Sequence, residues 1–418
     1  MELEQPDFDG VPLDEAMVPQ ALLDILDKRR SNLFPWNGQF SPQLIEILLG
    51  QYAPRSGLVL DPFAGGGTVL FEASRLGLAS VGTEINPAAC AMARIAELAN
   101  LTLGKRRLLT SQLESTLQEK LPDEEPSLFH GGGPVASGEV RDAAVMIHEG
   151  LDDQKMRWML EAIMVLADLS QDTTSAEVFT SWAKLKTTIL NLPESDAPTR
   201  LLNLDARRLS LRAGEIDFVI TSPPYINVFN YHQKYRRAME ALGWNLLAVS
   251  RSEIGANRKH RQNRFLTVVQ YCLDMTESLR EISRVCKAGT RVIMVVGRES
   301  RVRKTRFFNG EIMSALATRC LGFSFVLRQE RVFRNRFGEE IREDLLHFLV
   351  GSCGTEEPSA VGREALMKAR ARAPDESLSD LDEALSAVEQ VRPSPIFDES
   401  AARPCPRRGV ENVVGRCR

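Results

Sequence analysis

Two short stretches of this 418-residue chain carry residue types whose spacing could do chemistry. The first is Leu58-Val59-Leu60-Asp61-Pro62-Phe63-Ala64-Gly65-Gly66-Gly67-Thr68, where an apolar strand ends in a carboxylate and a glycine-rich turn then feeds a helix. Glycines let a backbone approach a ligand in conformations that other residues avoid. No Gly-Lys-Ser/Thr follows, so the turn is not a phosphate-cradling loop. Asp61 would repel a pyrophosphate and attract an ammonium. The second stretch is Thr221-Ser222-Pro223-Pro224-Tyr225, which follows the apolar run Ile216-Asp217-Phe218-Val219-Ile220. Two consecutive prolines fix φ and remove two N–H donors. What remains is a rigid, extended turn at a strand end, with free carbonyls beside an aromatic ring.

Two further acids strengthen the first stretch. Glu84 ends the strand after the glycine turn, where a carboxylate accepts hydrogen bonds from ribose hydroxyls. Asp205 ends Leu201-Leu202-Asn203-Leu204, a place from which it could accept from an adenine amino group. Alone, Asp205 is equally well read as a solvated loop residue. Three acids at successive strand ends point to one ligand, because open α/β sheets bind at their carboxyl edge. S-adenosylmethionine, with an α-amino group and a sulfonium, fits an acidic turn of this kind. A dinucleotide site would want G-x-G-x-x-G, and Asp61-Pro62-Phe63 does not supply it.

These stretches need elements to position them. Apolar spacing predicts helices over 16–28, 43–52, 68–76 and 87–101, and strands over 58–60 and 80–83. Ser41-Pro42 reads as an N-cap with proline at the first helical position. The rhythm stops over 104–199, read as a mostly helical insertion suited to target recognition, with a helix over 155–169. It resumes with strands over 201–204, 216–220 and 291–296 and helices over 268–286 and 310–320. Segments 323–327 and 345–350 have no helix between them and predict an antiparallel pair at the sheet edge. The expectation is therefore a mostly parallel α/β sheet covered on both faces. Its parts are 1–103 with the cofactor motifs, the insertion over 104–199, the catalytic part over 200–351, and a tail over 352–418 that reads as disordered apart from a short helix near 378–391.

Asp61 to Thr68 resembles the D-P-F-x-G-x-G-T loop of amino-group DNA methyltransferases. Thr83-Glu84-Ile85-Asn86-Pro87 resembles their next motif, and Phe34-Pro35 the segment that packs on the methionine end of their cofactor. The resemblance implies a Rossmann-like S-adenosylmethionine methyltransferase fold, with cofactor contacts from Phe34, Pro35, Asp61, Phe63, Ala64, Gly65, Gly67, Thr68, Glu84 and Asp205. It also explains the second stretch. An exocyclic amino nitrogen is a poor nucleophile, because its lone pair is delocalised into the ring. Acceptors on its hydrogens, here the Ser222 hydroxyl and the Pro223 carbonyl, pull it toward tetrahedral geometry. Pro224 stiffens the turn and Tyr225 stacks on the base, which must first be flipped from the duplex. Ser-Pro-Pro-Tyr resembles the N4-cytosine enzymes, whereas N6-adenine enzymes more often begin with Asp or Asn. The motif order departs from the permuted order common among N4-cytosine enzymes.

The remaining features limit the function. The seven cysteines are scattered, and neither Cys-x-x-Cys nor Cys/His pairs at ligand spacing occur, so no metal site is expected. Pro404-Cys405 and Glu411-Asn412-Val413 echo the C5-cytosine enzymes, but they lie too close together and in the tail. No apolar run approaches the roughly 20 residues of a membrane span, and the acidic start lacks a signal pattern, so a cytoplasmic location is expected. The net charge of −4 hides an asymmetry: residues 228–342 hold about 23 Lys/Arg against about 10 Asp/Glu. The basic stretches 258–264, 298–306 and 328–342, with Phe265, Phe307, Phe308, Phe333 and Phe337 interleaved, suit phosphate contacts. Residues 227–235, with Phe229, Tyr231 and His232, suit a base pocket, His232 as a packing residue. The expectation is a site-specific cytosine-N4 DNA methyltransferase acting on double-stranded DNA, paired with a cognate restriction endonuclease. An N6-adenine DNA enzyme and an RNA base methyltransferase remain the alternatives.

Overall fold

Among the described residues nine strands follow the chain: β1 (Leu58–Asp61), β2 (Ala79–Thr83), β3 (Thr199–Leu202), β4 (Ile216–Thr221), β5 (Cys286–Gly297), β6 (Glu299–Val302), β7 (Thr305–Phe308), β8 (Ser324–Arg334) and β9 (Glu340–Leu349). The computed structural model describes residues 8–14, 16–122, 138–226, 231–256, 260–334, 338–351 and 354–403. Seven strands form one sheet in the order β3-β2-β1-β4-β5-β9-β8. The first five pair in parallel, and β9 pairs antiparallel with both β5 and β8. Parallel strands are covered on both faces, which is why Val59, Leu60, Val219, Ile220 and Val292 are apolar and buried. This is a Rossmann-like α/β sheet.

The strand order sets where a ligand goes. β1 lies between β2 and β4, so the winding reverses there, and the crevice outside the carboxyl ends of these strands is the topological switch point. Register brings Leu60 beside Val81 on one side and Val219 on the other. Asp61, Glu84 and Ser222 thus leave the sheet at neighbouring strand ends.

Local sequence explains the helices that frame this edge. Gly67 adopts φ +86 ahead of the helix Thr68–Arg75, and a Cβ there would fall 2.7 Å from Ala93 Cα. Asn86 caps the helix Pro87–Ala93, its side chain accepting from the Ala88 and Ala89 N–H groups, with Pro87 at the first position. After Pro87–Ala93, four further α-helices precede β3 among the described residues: Leu103–Lys120, Glu139–Gly150, Gln154–Leu166 and Ser175–Leu190. The last opens with a reciprocal Thr174–Glu177 capping box. Their apolar faces share a core with the helix Pro87–Ala93 through Leu113, Met159, Ile163 and Trp182.

Three differences from the sequence reading concern the second half. β8 and β9 are about twice the expected length, and β9 is flanked on both sides, which leaves β8 as the edge. A β6–β7 hairpin follows β5, turning at Arg303 and Lys304, both at positive φ. The tail is not disordered over 354–403. Helices Pro358–Arg370 and Asp375–Ser386 bury Val361, Leu366, Ala369, Leu381 and Ala384 in the core that also holds the helix Leu266–Val285. Gly362 permits the close approach, since a Cβ there would lie 3.1 Å from Val269 Cα. The physical reason is that many small and charged residues diluted a helical apolar spacing. Cys405 and residues 411–413 fall outside the described residues, as do 130–134, 227–230, 257–259 and Phe337. Among the described residues no helix is long and apolar enough to cross a membrane.

Candidate active site

One cavity opens at the switch point. Asp61, Phe63, Ala64, Gly65, Thr68, Glu84 and Asp205 line it, and so do Ser222, Pro223, Pro224 and Tyr225. The two sequence stretches, about 160 residues apart, therefore face one space. The link between them is direct. Thr221 ends β4, and its hydroxyl donates to Asp61 Oδ1 at 2.7 Å, both side chains being buried. The same oxygen accepts the Phe63 N–H at 3.2 Å.

The cavity has an unusual charge balance. Its lining holds the carboxylates Asp61, Glu84, Asp205 and Glu253, and among the described lining residues there is no Lys or Arg. Burial pushes Asp61 up to about 7, against the lowering effect of its Thr221 and Phe63 hydrogen bonds. Burial also pushes Glu84 up to about 7, against the Asn86 and Gly65 N–H groups that donate to it at 2.8 and 3.0 Å. Such acids gain from a cation that enters and restores their charge. A ligand bearing a sulfonium and an ammonium meets that condition, so the donor set fits S-adenosylmethionine.

The glycines of the turn serve an aromatic neighbour. At Gly65, φ is +50 and a Cβ would lie 3.2 Å from the Trp36 indole; at Gly66 it would meet Gln39 and Trp36. The turn thus passes under Trp36, which lines the cavity and stacks on Tyr231 with ring centroids 5.9 Å apart. Phe34 and Pro35 do not line this cavity. Phe34 packs on Phe71 at 5.7 Å and borders a neighbouring cleft, while the Pro35 carbonyl accepts from Lys234 Nζ at 2.6 Å and Tyr235 Oη at 3.0 Å. Gly67 also lies outside the lining, packed against Ala93. These three hold the walls, and Trp36 supplies the contact surface expected of its neighbours.

Asp205 departs further from expectation. Its carboxylate is engaged by Arg207 in a two-pronged pair at 2.9 and 2.7 Å and accepts the Phe397 N–H at 2.8 Å. Arg207 also donates to Asp274, to the Ser252 carbonyl and to the Ser394 and Pro395 carbonyls. Asp205 therefore fastens residues 394–397 to the sheet, and its oxygens are already accepting hydrogen bonds. Ser252, Glu253 and Ile254 also face the cavity on this wall.

At the opposite wall, Ser222 Oγ and Tyr225 Oη lie 3.4 Å apart. Two glycines seat the tyrosine. A Cβ on Gly297, at the end of β5, would lie 3.1 Å from the Tyr225 ring, and one on Gly255, at φ +69, would overlap the Tyr225 carbonyl oxygen. Burial raises the Tyr225 phenol well above its ordinary pKa, so it remains protonated at neutral pH. Thr221, Trp36, Tyr231, Glu253, Gly255 and Gly297 were not singled out as site-forming from the sequence, except Tyr231 as part of a base pocket. His232 is buried, with its N–H and ring Nδ1 on Glu253 at 2.9 and 3.0 Å, which makes it a support for that carboxylate.

Comparison with known proteins agrees with this geometry in the cofactor half. Residues 21–95 match the family model described as DNA methylase, of the N6/N4 class. A 101-residue stretch is 31% identical to the Type II methyltransferase M.MjaII of Methanocaldococcus jannaschii, covering 23% of this chain and 19% of that protein. The chain thus spans about a fifth of the length of that curated relative. Among solved structures, a SAM-dependent methyltransferase of Methanosarcina mazei aligns at 12% identity and TM-score 0.35, covering 73% of this chain and 98% of that one. The rRNA methyltransferase aviRa of Streptomyces viridochromogenes aligns at 11% identity and TM-score 0.30, covering 84% and 94%. Similarity at those scores carries no argument about function. Residues 21–95, which build the acidic glycine turn and its neighbouring strand, are thus the part of the chain that is similar to amino-group DNA methyltransferases.

Proposed function

We propose that this protein transfers a methyl group from S-adenosylmethionine to the exocyclic N4 of cytosine in double-stranded DNA, at a specific site and alongside a cognate restriction endonuclease. The observation that carries the reading is the Thr221–Asp61 hydrogen bond, which sets the Ser-Pro-Pro-Tyr turn against the cofactor turn in one cavity. Bound S-adenosylmethionine supplies an electrophilic methyl group on its sulfonium. Asp61 and Glu84 hold the cationic and ribose parts, and Trp36 and Tyr231 cover them.

Ser222 Oγ and the Pro223 carbonyl accept the two hydrogens of the target amine, freeing the nitrogen lone pair. That lone pair would take up the methyl group the cofactor offers, the sulfonium leaving as a neutral thioether, and the nitrogen would then release one proton to solvent. The chain's share of the rate comes mainly from holding the nitrogen in line and close, with the Tyr225 ring as the base's stacking surface. Nothing here calls for a cysteine nucleophile: Cys90, Cys272, Cys286 and Cys320 are buried, and burial raises each thiol.

Phosphate contacts would come from the basic stretches after the catalytic turn. Many of their cations have carboxylate partners, including Arg301 and Arg306 with Glu299 and Lys304 with Glu376. Exposed pairs of this kind are worth about 0–1 kcal/mol, so phosphates can take them over. The same reading includes a cytoplasmic location. The test is incubation with methyl-labelled cofactor and either DNA or RNA, followed by nucleoside mass analysis. N4-methylcytosine in DNA is the expected product; N6-methyladenine, or label in RNA alone, overturns the substrate assignment.

A further inference from the structure

The target turn is backed by a part-buried ion pair that the transfer mechanism does not use. Register places Gly297 of β5 opposite Glu343 of β9, and Glu343 opposite Arg331 of β8. Residues directly opposite in antiparallel strands put their side chains on the same face. Gly297 has no side chain, and the ring of Tyr225 occupies the space its Cβ would take. The row across the sheet therefore reads Tyr225, Glu343, Arg331, and the Phe333 ring closes it, with Arg331 Cζ 4.2 Å from the ring centroid. Glu343 is bound to Arg331 at 2.9 Å.

Resting on the methyl-transfer reading, we propose that Glu343 is a positioning residue, which fixes the hydrogen-bond direction of the Ser222–Tyr225 hydroxyl pair so that Ser222 meets the target amine as an acceptor. The reasoning is electrostatic. A hydroxyl can point its hydrogen either way, and Ser222 Oγ is useful to an amine only when its lone pairs face the cavity. The Gly297 backbone lies against the Tyr225 ring, and the charge of Glu343 acts on the phenol and raises it. A negative charge behind the ring draws the phenol hydrogen toward it and away from Ser222. The phenol oxygen then accepts the serine hydrogen, and the serine lone pairs are left for the substrate. Arg331 keeps Glu343 in place without cancelling this local field, since it approaches from the far side of the row. The other charged group acting on Glu343 is Asp344; it points to the opposite face, where Arg298 pairs with it at 2.8 Å. Tyr271 and Tyr231, the neighbouring phenols, are both raised by burial and stay neutral.

The experiment is a steady-state comparison of wild type, Glu343→Gln, Tyr225→Phe and the combination, together with cofactor binding by calorimetry. Glu343→Gln is expected to lower kcat about tenfold or more while leaving cofactor affinity and the KM for DNA within about twofold. In the Tyr225→Phe background, which keeps the ring and removes the hydroxyl, Glu343→Gln should have no further effect. The Glu343→Met/Arg331→Met pair replaces the ion pair with apolar side chains, a change that buried sites tolerate, and should show the same loss of kcat. An unchanged kcat in Glu343→Gln, or an equal loss in both backgrounds, overturns the proposal. A wild type that binds cofactor but methylates no nucleic acid would instead sink the methyl-transfer reading.

Discussion

Thr221 donates a hydrogen bond to Asp61 at 2.7 Å, and through that contact the end of β4 is tied to the end of β1. Each partner sits one step from a working motif: Asp61 opens the cofactor turn and Thr221 precedes Ser222. A change in one turn is therefore felt in the other. Thr221→Val keeps the shape and removes the donor. It should weaken cofactor binding about tenfold, roughly the loss of one hydrogen bond to a charged group, and lower kcat as well. Calorimetry and steady-state kinetics check this, and a change confined to kcat would contradict the assigned role of Asp61.

The raised carboxyl groups predict an opposite pH response in free and loaded protein. Asp61 and Glu84 titrate near about 7 in the folded chain and near about 4 when unfolded. Over that window the folded state holds more protons, so their contribution to stability falls as pH rises. Cofactor binding runs the other way, because its cations need the ionised acids. Thermal unfolding at about pH 5 and about pH 8 should show Asp61→Asn gaining more stability over wild type at the higher pH. The rise in Tm on adding cofactor should be larger at the higher pH for wild type, and the variant should lose much of that dependence.

Ser222→Ala removes the hydroxyl meant for the target amine, and Tyr225→Ala removes the stacking face. Either should cut kcat by about a hundredfold or more, with cofactor affinity largely retained. Single-turnover transfer measured beside equilibrium binding separates these effects. Near-normal turnover in either variant would remove the assigned catalytic turn.

Gly255 tests how tightly that turn is seated. Its φ of +69 and its contact with the Tyr225 carbonyl leave no room for a methyl group. Gly255→Ala should cost a few kcal/mol of stability or displace Tyr225, with kcat falling in the second case. Gly77→Ala is the control. Gly77 has φ +68 and open space around it, so only the strain of about 1 kcal/mol should appear, with kcat unchanged.

What could be read from the chain and what could not divide along a physical line. Asp61, Glu84 and Ser222-Pro223-Pro224-Tyr225 were legible because each stands at a strand end, where local pattern and the binding edge coincide. Trp36, Tyr231 and Glu253 were hard to see as a group, since they reach the cavity from separate loops and no spacing connects them. Asp205 lies three residues beyond β3 and lines the cavity, but its pairing with Arg207, two residues on, was not visible in the local pattern. In the tail, Val361, Leu366 and Ala369 keep roughly helical spacing, so a closer count would have recovered that helix despite its polar neighbours.

The fastening of residues 394–397 onto Asp205 has a consequence for assembly. The Phe397 N–H closes a contact spanning 192 residues, and Arg207 binds the Ser394 carbonyl across 187. Contacts of such separation form late, after the entropy of closing the intervening loop has been met. The sheet edge and both motifs can be in place before Asp205 and Arg207 receive these last partners. A growing chain would therefore acquire its strands well before Asp205, on the cavity wall, is fixed by the distal segment 394–397.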